Sequence, residues 1–102
     1  MDTPNYQIDA ADFDKARGIA ERIAAGWGLS DNENQKLLAD DIKRISYVLD
    51  IYKALRILFP TEQRAAAWPV KRNRYFNGKS ALEVMLAGDL ASVRRYLDGQ
   101  CQ

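Results

Sequence analysis

The sequence predicts an all-α fold, a compact multi-helix domain around one long central helix. Three observations carry this expectation. Apolar residues recur every three or four positions over residues 13–27 and 42–59, the spacing that lines one side of a helix. The pattern Ser-x-x-Glu, which satisfies backbone N–H groups at a helix start, occurs at Ser30–Glu33 and again at Ser80–Glu83. Glycine or proline stands where helices should stop, at Gly26, Gly28, Pro60, Pro69 and Gly88.

Residues 1–10 are expected to be loosely ordered. Asp12 is the expected N-cap of a first helix reaching about residue 25, with Phe13, Ala16, Ala20, Ile23 and Trp27 on its inner side. Trp27, bracketed by Gly26 and Gly28, plugs the core. Ser30 then caps a short helix through Leu37 and Leu38. The longest helix spans residues 41–59, with Ile42, Ile45, Leu49, Tyr52, Leu55 and Phe59 in one stripe that Val48, Ile51 and Leu58 widen. A stripe this broad implies a helix contacted on more than one side. Part of its excess apolar surface is a candidate homodimer contact.

Thr61 caps a further short helix through Trp68, which Pro69 closes and whose tryptophan points to the core. Lys71, Arg72, Asn73 and Arg74 form a basic loop. Asn77-Gly78 is a turn signal, because both residues tolerate positive φ. One small irregular hairpin near residues 70–78 is compatible with the pattern. Ser80 opens a helix carrying Leu82, Met85 and Leu86. Asp89 caps the last helix, with Leu90, Val93 and Leu97 inward and Arg94 and Arg95 outward.

A chain of 102 residues makes one domain. Its 47% apolar content supports a folded globule. No apolar run approaches the roughly 20 residues that span a bilayer, and the N-terminus lacks the basic-then-apolar pattern of a signal peptide. A cytoplasmic location is therefore expected. Cys101 is the single cysteine, so no internal disulfide forms, and the chain has no histidine to serve as base or metal ligand. Gly-rich phosphate loops and metal-ligand spacings are missing, the serines are better explained as caps, and nothing brings Glu62 and Glu83 together. No catalytic residue, metal or cofactor is expected, and the chain reads as a binding module rather than an enzyme.

Charge is unevenly distributed. Residues 1–50 carry six Lys/Arg and ten Asp/Glu, a balance of −4; residues 51–102 carry nine and four, a balance of +5. The acidic half is a poor footprint for DNA, which needs clustered cations. The basic half suits an acidic partner surface.

An ordered set of short pieces points to a family. They are Arg44-Ile45-Ser46-Tyr47, Ile51-Tyr52-Lys53-Ala54-Leu55, Leu58-Phe59-Pro60, Ala67-Trp68, Arg72-Asn73, Gly78-Lys79-Ser80-Ala81-Leu82, Met85-Leu86-Ala87-Gly88 and Val93-Arg94-Arg95-Tyr96-Leu97. In this order they resemble the toxin-binding domain of the MbcA/ParS/Xre antitoxins. Ala25-Gly26-Trp27-Gly28-Leu29-Ser30, with Glu33 and Leu37-Leu38, resembles the opening of the Xre-like helix-turn-helix region of that family. Residues 1–40 then read as a shortened Xre-like helical region and 41–102 as the toxin-binding domain, packed as one globular unit. Family members continue with a recognition helix, which must present several side chains in the DNA major groove. Here Leu38-Ala39 runs almost directly into Asp40-Asp41, so the segment for that helix is absent and DNA binding is doubtful.

The resemblance implies the antitoxin of a type II toxin–antitoxin system. It implies a RES-domain toxin as partner, a class that consumes NAD or transfers ADP-ribose from it, inhibited by occlusion of its active site. On that reading Arg72, Asn73, Arg74, Lys79, Arg94, Arg95 and Tyr96 bind the toxin, with Tyr75 and Phe76 as further aromatic anchors. The alternative is an Xre-type DNA-binding (auto)regulator using Lys71, Arg72, Arg74 and Lys79 on phosphates.

Overall fold

The computed structural model describes residues 8–101; residues 1–7, which make up most of the segment expected to be loosely ordered, lie outside them. A 3-10 turn at Ala10–Asp12 leads into helix α1, Phe13–Gly26. Asp12 occupies the cap position without acting as a cap. Its φ of −101° and ψ of 3° are not the extended conformation that capping needs, and its side chain makes no cap hydrogen bond. The preceding turn sets this geometry, because the Asp12 N–H already donates to the Asp9 carbonyl at 2.9 Å. The far end of α1 follows the glycine signal. Gly28, at φ +93°, lets the N–H groups of Gly28 and Leu29 reach back to the carbonyls of Ala25 and Ala24 at 3.0 and 3.4 Å. Trp27 is thereby turned into the core, where it is buried.

Helix α2, Asp31–Leu38, begins with the expected capping box: the Glu33 N–H donates to Ser30 Oγ at 3.2 Å and the Ser30 N–H to Glu33 Oε1 at 3.0 Å. The connection to the next helix is residues 39–41, and Ala39 and Asp40 both take left-handed φ, 50° and 49°. Asp41 caps helix α3, Ile42–Leu58, accepting from the N–H groups of Lys43 and Arg44 at 2.8 and 3.4 Å. The helix stops just before Pro60, as the missing proline N–H and the restriction on its predecessor demand.

Residues 45–49 of α3 are all buried. At 3.6 residues per turn, five consecutive buried positions cover the full circumference of the helix. Helices α6, α1, α4 and α2 supply the cover, so α3 is the axis of the molecule. Each large apolar side chain it buries contributes about 1.5–3 kcal/mol. Ile42 is the exception to the expected stripe, at 42% exposed. A helical side chain lies over the turn preceding its own Cα, so the first residue of a helix points past the packed section.

Thr61 caps α4, Glu62–Ala67, accepting from the Arg64 N–H at 3.2 Å. That helix ends at Ala67 with Trp68 as its C-cap, just ahead of Pro69 as expected, and the chain continues as a 3-10 turn, Trp68–Val70, with Pro69 buried. A second 3-10 turn, Arg74–Phe76, is followed by α5, Ala81–Leu86, and α6, Leu90–Cys101. The Ser80–Glu83 capping box forms, at 3.1 and 3.2 Å. Asp89 accepts from the Ser92 N–H at 3.1 Å and so starts α6. Gly88, at φ +106°, makes the bend between α5 and α6. Leu90, Val93 and Leu97 face inward against α3 and α5. Among the described residues there is no strand, and none of the helices is long and apolar enough to cross a membrane. The fold is all-α.

Candidate functional site

The basic loop is held by a dense set of backbone bonds centred on Asn73. Its N–H donates to the Lys79 carbonyl at 3.0 Å, and its own carbonyl accepts from Phe76 and Gly78 at 3.0 and 3.1 Å. Its side chain accepts from the Tyr75 N–H at 2.9 Å and caps the 3-10 turn. Asn77 at φ 59° and Gly78 at φ 84° close the loop, and the antiparallel bridge between Arg72 and Ser80 forms its base. The hairpin that the pattern allowed is therefore reduced to a single bridge. The 3-10 turn occupies the residues that a second strand pair would need.

This loop presents cations on a fixed frame. Lys71, Arg72, Arg74 and Lys79 are exposed. Tyr75 between them is 59% exposed, and Val70 beside them 50%. Asn73 is half-buried, and the bonds above give it the role of shaping the loop.

Aromatic rings join the loop to α6. Tyr96 lies 4.5 Å from Tyr75, 5.7 Å from Phe76 and 6.0 Å from Trp68, ring centre to ring centre, stacked on the tryptophan at 13°. Tyr75 meets Phe76 edge-on at 5.1 Å. Such pairs are worth about 0.5–1.5 kcal/mol beyond the area they bury. Phe76 is the buried end of the cluster and Tyr75 the exposed end, with Trp68 and Tyr96 half-buried between them. Trp68 is thus a support for a surface as much as a core residue. Sequence patterns hint at this only through the crowding of aromatics in the segment, because the ring contacts span residues far apart in the chain.

The two arginines of α6 part company. Arg95 is exposed, as expected. Arg94 is not turned outward: its side chain is only 14% exposed, paired with Asp98 at 3.1 Å and Asp50 of α3 at 3.9 Å, with its guanidinium 5.8 Å from the centre of the Tyr47 ring. The cause is the packing of α6 on α3. It buries the Asp50 carboxylate to 9% exposure, and a buried carboxylate requires a cation. Of the sequence-predicted set, Arg72, Arg74, Lys79 and Arg95 are exposed, while Asn73, Arg94 and Tyr96 are half-buried. Exposed cations around an aromatic ridge have the make-up of an interface hot spot, since arginine and tyrosine dominate such sites.

The loop, the ring cluster and all of α6 but its last residue lie inside one segment that known proteins share. A model of the antitoxin Xre/MbcA/ParS C-terminal toxin-binding domain matches residues 54–100. Over nearly its whole length the chain is similar to a protein of Sinorhizobium fredii (strain NBRC 101917 / NGR234) described as "Uncharacterized protein y4oB". The two are 41% identical over 114 residues, covering 85% of this chain and 88% of that protein. No solved structure matches. The chain belongs to the Xre/MbcA/ParS antitoxin family, with that family's C-terminal toxin-binding domain at residues 54–100.

Proposed function

We propose that the chain is the antitoxin of a type II toxin–antitoxin pair and that it neutralises a RES-domain toxin by covering its active-site entrance. The observation that carries this reading is the exposed cationic and aromatic surface of residues 71–79 and 95–96, lying wholly within the toxin-binding domain. Arg72, Arg74, Lys79 and Arg95 contact the toxin directly, and Asn73, Arg94 and Tyr96 hold the surface in shape. Residues 41–102 act as the toxin-binding unit and 1–40 as a shortened Xre-like support. Arginine suits the contact because its planar fork pairs with a carboxylate through two hydrogen bonds.

The test is retention from native-host lysate on the chain tagged at its N-terminus, followed by an NAD-consumption assay. A near-stoichiometric RES-type protein, silenced by an equimolar amount of the chain, is the expected result. If Arg74→Glu together with Arg95→Glu inhibits that toxin as well as the wild type does, the assigned surface is wrong. The DNA-regulator reading has little to rest on, since three residues join α2 to α3 and leave no room for a recognition helix. A gel shift on the upstream DNA of the gene is expected to show no complex even at low salt, where phosphate contacts are strongest.

A further inference from the structure

Asn77 and Gly78 close the basic loop, and together they carry a reactivity that the turn does not use. The side-chain amide of an asparagine is open to attack by the main-chain nitrogen of the next residue. Glycine, with no Cβ, shields that nitrogen least. Of Asn5, Asn32, Asn34, Asn73 and Asn77, the last alone precedes a glycine. The structure separates it further. Asn34 is buried, and Asn73 is half-buried with its side chain held by the Tyr75 N–H at 2.9 Å. Asn77 and Gly78 are both exposed, and the Asn77 side chain makes no hydrogen bond to a described residue. Apart from its chain neighbours, no atom lies within 4 Å of where a Cβ on Gly78 would stand.

We propose that Asn77 is a deamidation site, set in the loop proposed to meet the toxin and paced by the opening of that loop. The Gly78 nitrogen attacks Asn77 Cγ and the new C–N bond closes a cyclic imide. The Cγ–Nδ2 bond breaks, and ammonia leaves with the proton that the Gly78 nitrogen gives up. Water then opens the ring. Attack at Cγ yields aspartate; attack at the main-chain carbonyl yields isoaspartate, in which the chain runs on through Cβ and Cγ. The closed loop opposes the first step. Asn77 is held at φ 59° and ψ 36°, and the Gly78 N–H donates to the Asn73 carbonyl at 3.1 Å. The nitrogen must leave that bond and turn to the side chain, which local opening permits. Either product puts a carboxylate among the cations Arg74 and Lys79 and lowers the charge of the loop by one. Isoaspartate also lengthens the main chain inside a turn closed by the Asn77–Arg74 and Gly78–Asn73 bonds, both 3.1 Å. Loss of toxin contact on conversion rests on the reading of this loop as the toxin-binding surface; the modification itself does not.

Peptide mapping of the full chain, kept in mildly alkaline buffer, tests the site without any toxin. The tryptic peptide of residues 75–79 is expected to gain the mass that separates an amide from a carboxylic acid, and to split into aspartate and isoaspartate forms on elution. In concentrated urea, where the loop is open, the same conversion is expected about tenfold faster. Asn73→Ala removes the hold on the Tyr75 N–H and is expected to speed the folded chain about fivefold, the worth of one hydrogen bond in the opening equilibrium. Circular dichroism verifies that this variant is folded. A folded wild type that stays unmodified once the urea sample is fully converted overturns the proposal. Equal rates in the folded and urea samples, or in Asn73→Ala and wild type, overturn the pacing by the loop. Faster conversion at Asn32 overturns the choice of site.

Discussion

Arg94 is held by Asp98, by Asp50 and by the Tyr47 ring, whereas its chain neighbour Arg95 is exposed. Removing the first guanidinium takes away a cation that stands 3.9 Å from the buried Asp50 carboxylate and leaves a gap beside the Tyr47 ring. Arg94→Ala is therefore expected to lower unfolding stability by about 2–3 kcal/mol. A urea midpoint for Arg94→Ala that matches wild type would contradict this. A second residue-scale feature is Ala39, whose φ of 50° ends α2. An L side chain in that conformation costs about 1–2 kcal/mol that glycine does not. Ala39→Gly should stabilise the protein by about 1 kcal/mol after the extra freedom of the unfolded glycine is subtracted. A melting temperature at or below wild type would show that the turn is not strained.

Local signals set where most of the helices begin and end. The Ser30–Glu33 box depends on a carboxylate: the hydrogen bond from the Ser30 N–H, and next the Ser30 hydroxyl, hold the Glu33 carboxyl below the usual carboxylate range. A group depressed on folding adds stability that is complete above its unfolded pKa and lost as pH falls through the folded one. Glutamine at this position keeps the box without the titration. The stability gap between wild type and Glu33→Gln should therefore shrink steadily from about pH 6 to about pH 3. A gap that stays constant over this range would separate the box from the charge. At the other end of α2 the cap comes from a different helix. Arg44 of α3 donates to the Leu37 and Lys36 carbonyls at 3.1 and 3.4 Å, and Asp40 beside them pairs with Arg17 of α1 at 3.0 Å. The α2–α3 junction is thus tied to both flanking helices.

For the whole molecule, α3 is the element everything else is built on. Leu55 is fully buried in it. Leu55→Ala is expected to cost about 3–4 kcal/mol through lost burial and the cavity left behind. Against a total of about 5–15 kcal/mol for a domain, that is a large share. A denaturation midpoint near wild type would mean that α3 is not the centre of the core. The surface proposed to meet the toxin depends on the same packing, since Tyr96 reaches Trp68, Tyr75 and Phe76 only because α6 is fixed by α3 and α5.

The all-α class, the starts at Ser30, Asp41, Thr61, Ser80 and Asp89, the glycine-made ends at Gly28 and Gly88, and the family were all legible in the amino-acid order. Those signals act over three to five residues, within one turn of chain, so a local pattern contains the whole interaction. Asp12 failed as a cap because a turn upstream had already fixed its backbone. Which charges stay on the surface and which rings meet was settled by packing between helices. Arg94 lies one position past the apolar stripe of α6, and no helical period shows that α3 will bring Asp50 beneath it. The stack of Trp68 on Tyr96 is of the same kind. Each depends on where two helices cross, and that is settled by the packing of their whole buried surfaces rather than by either segment alone.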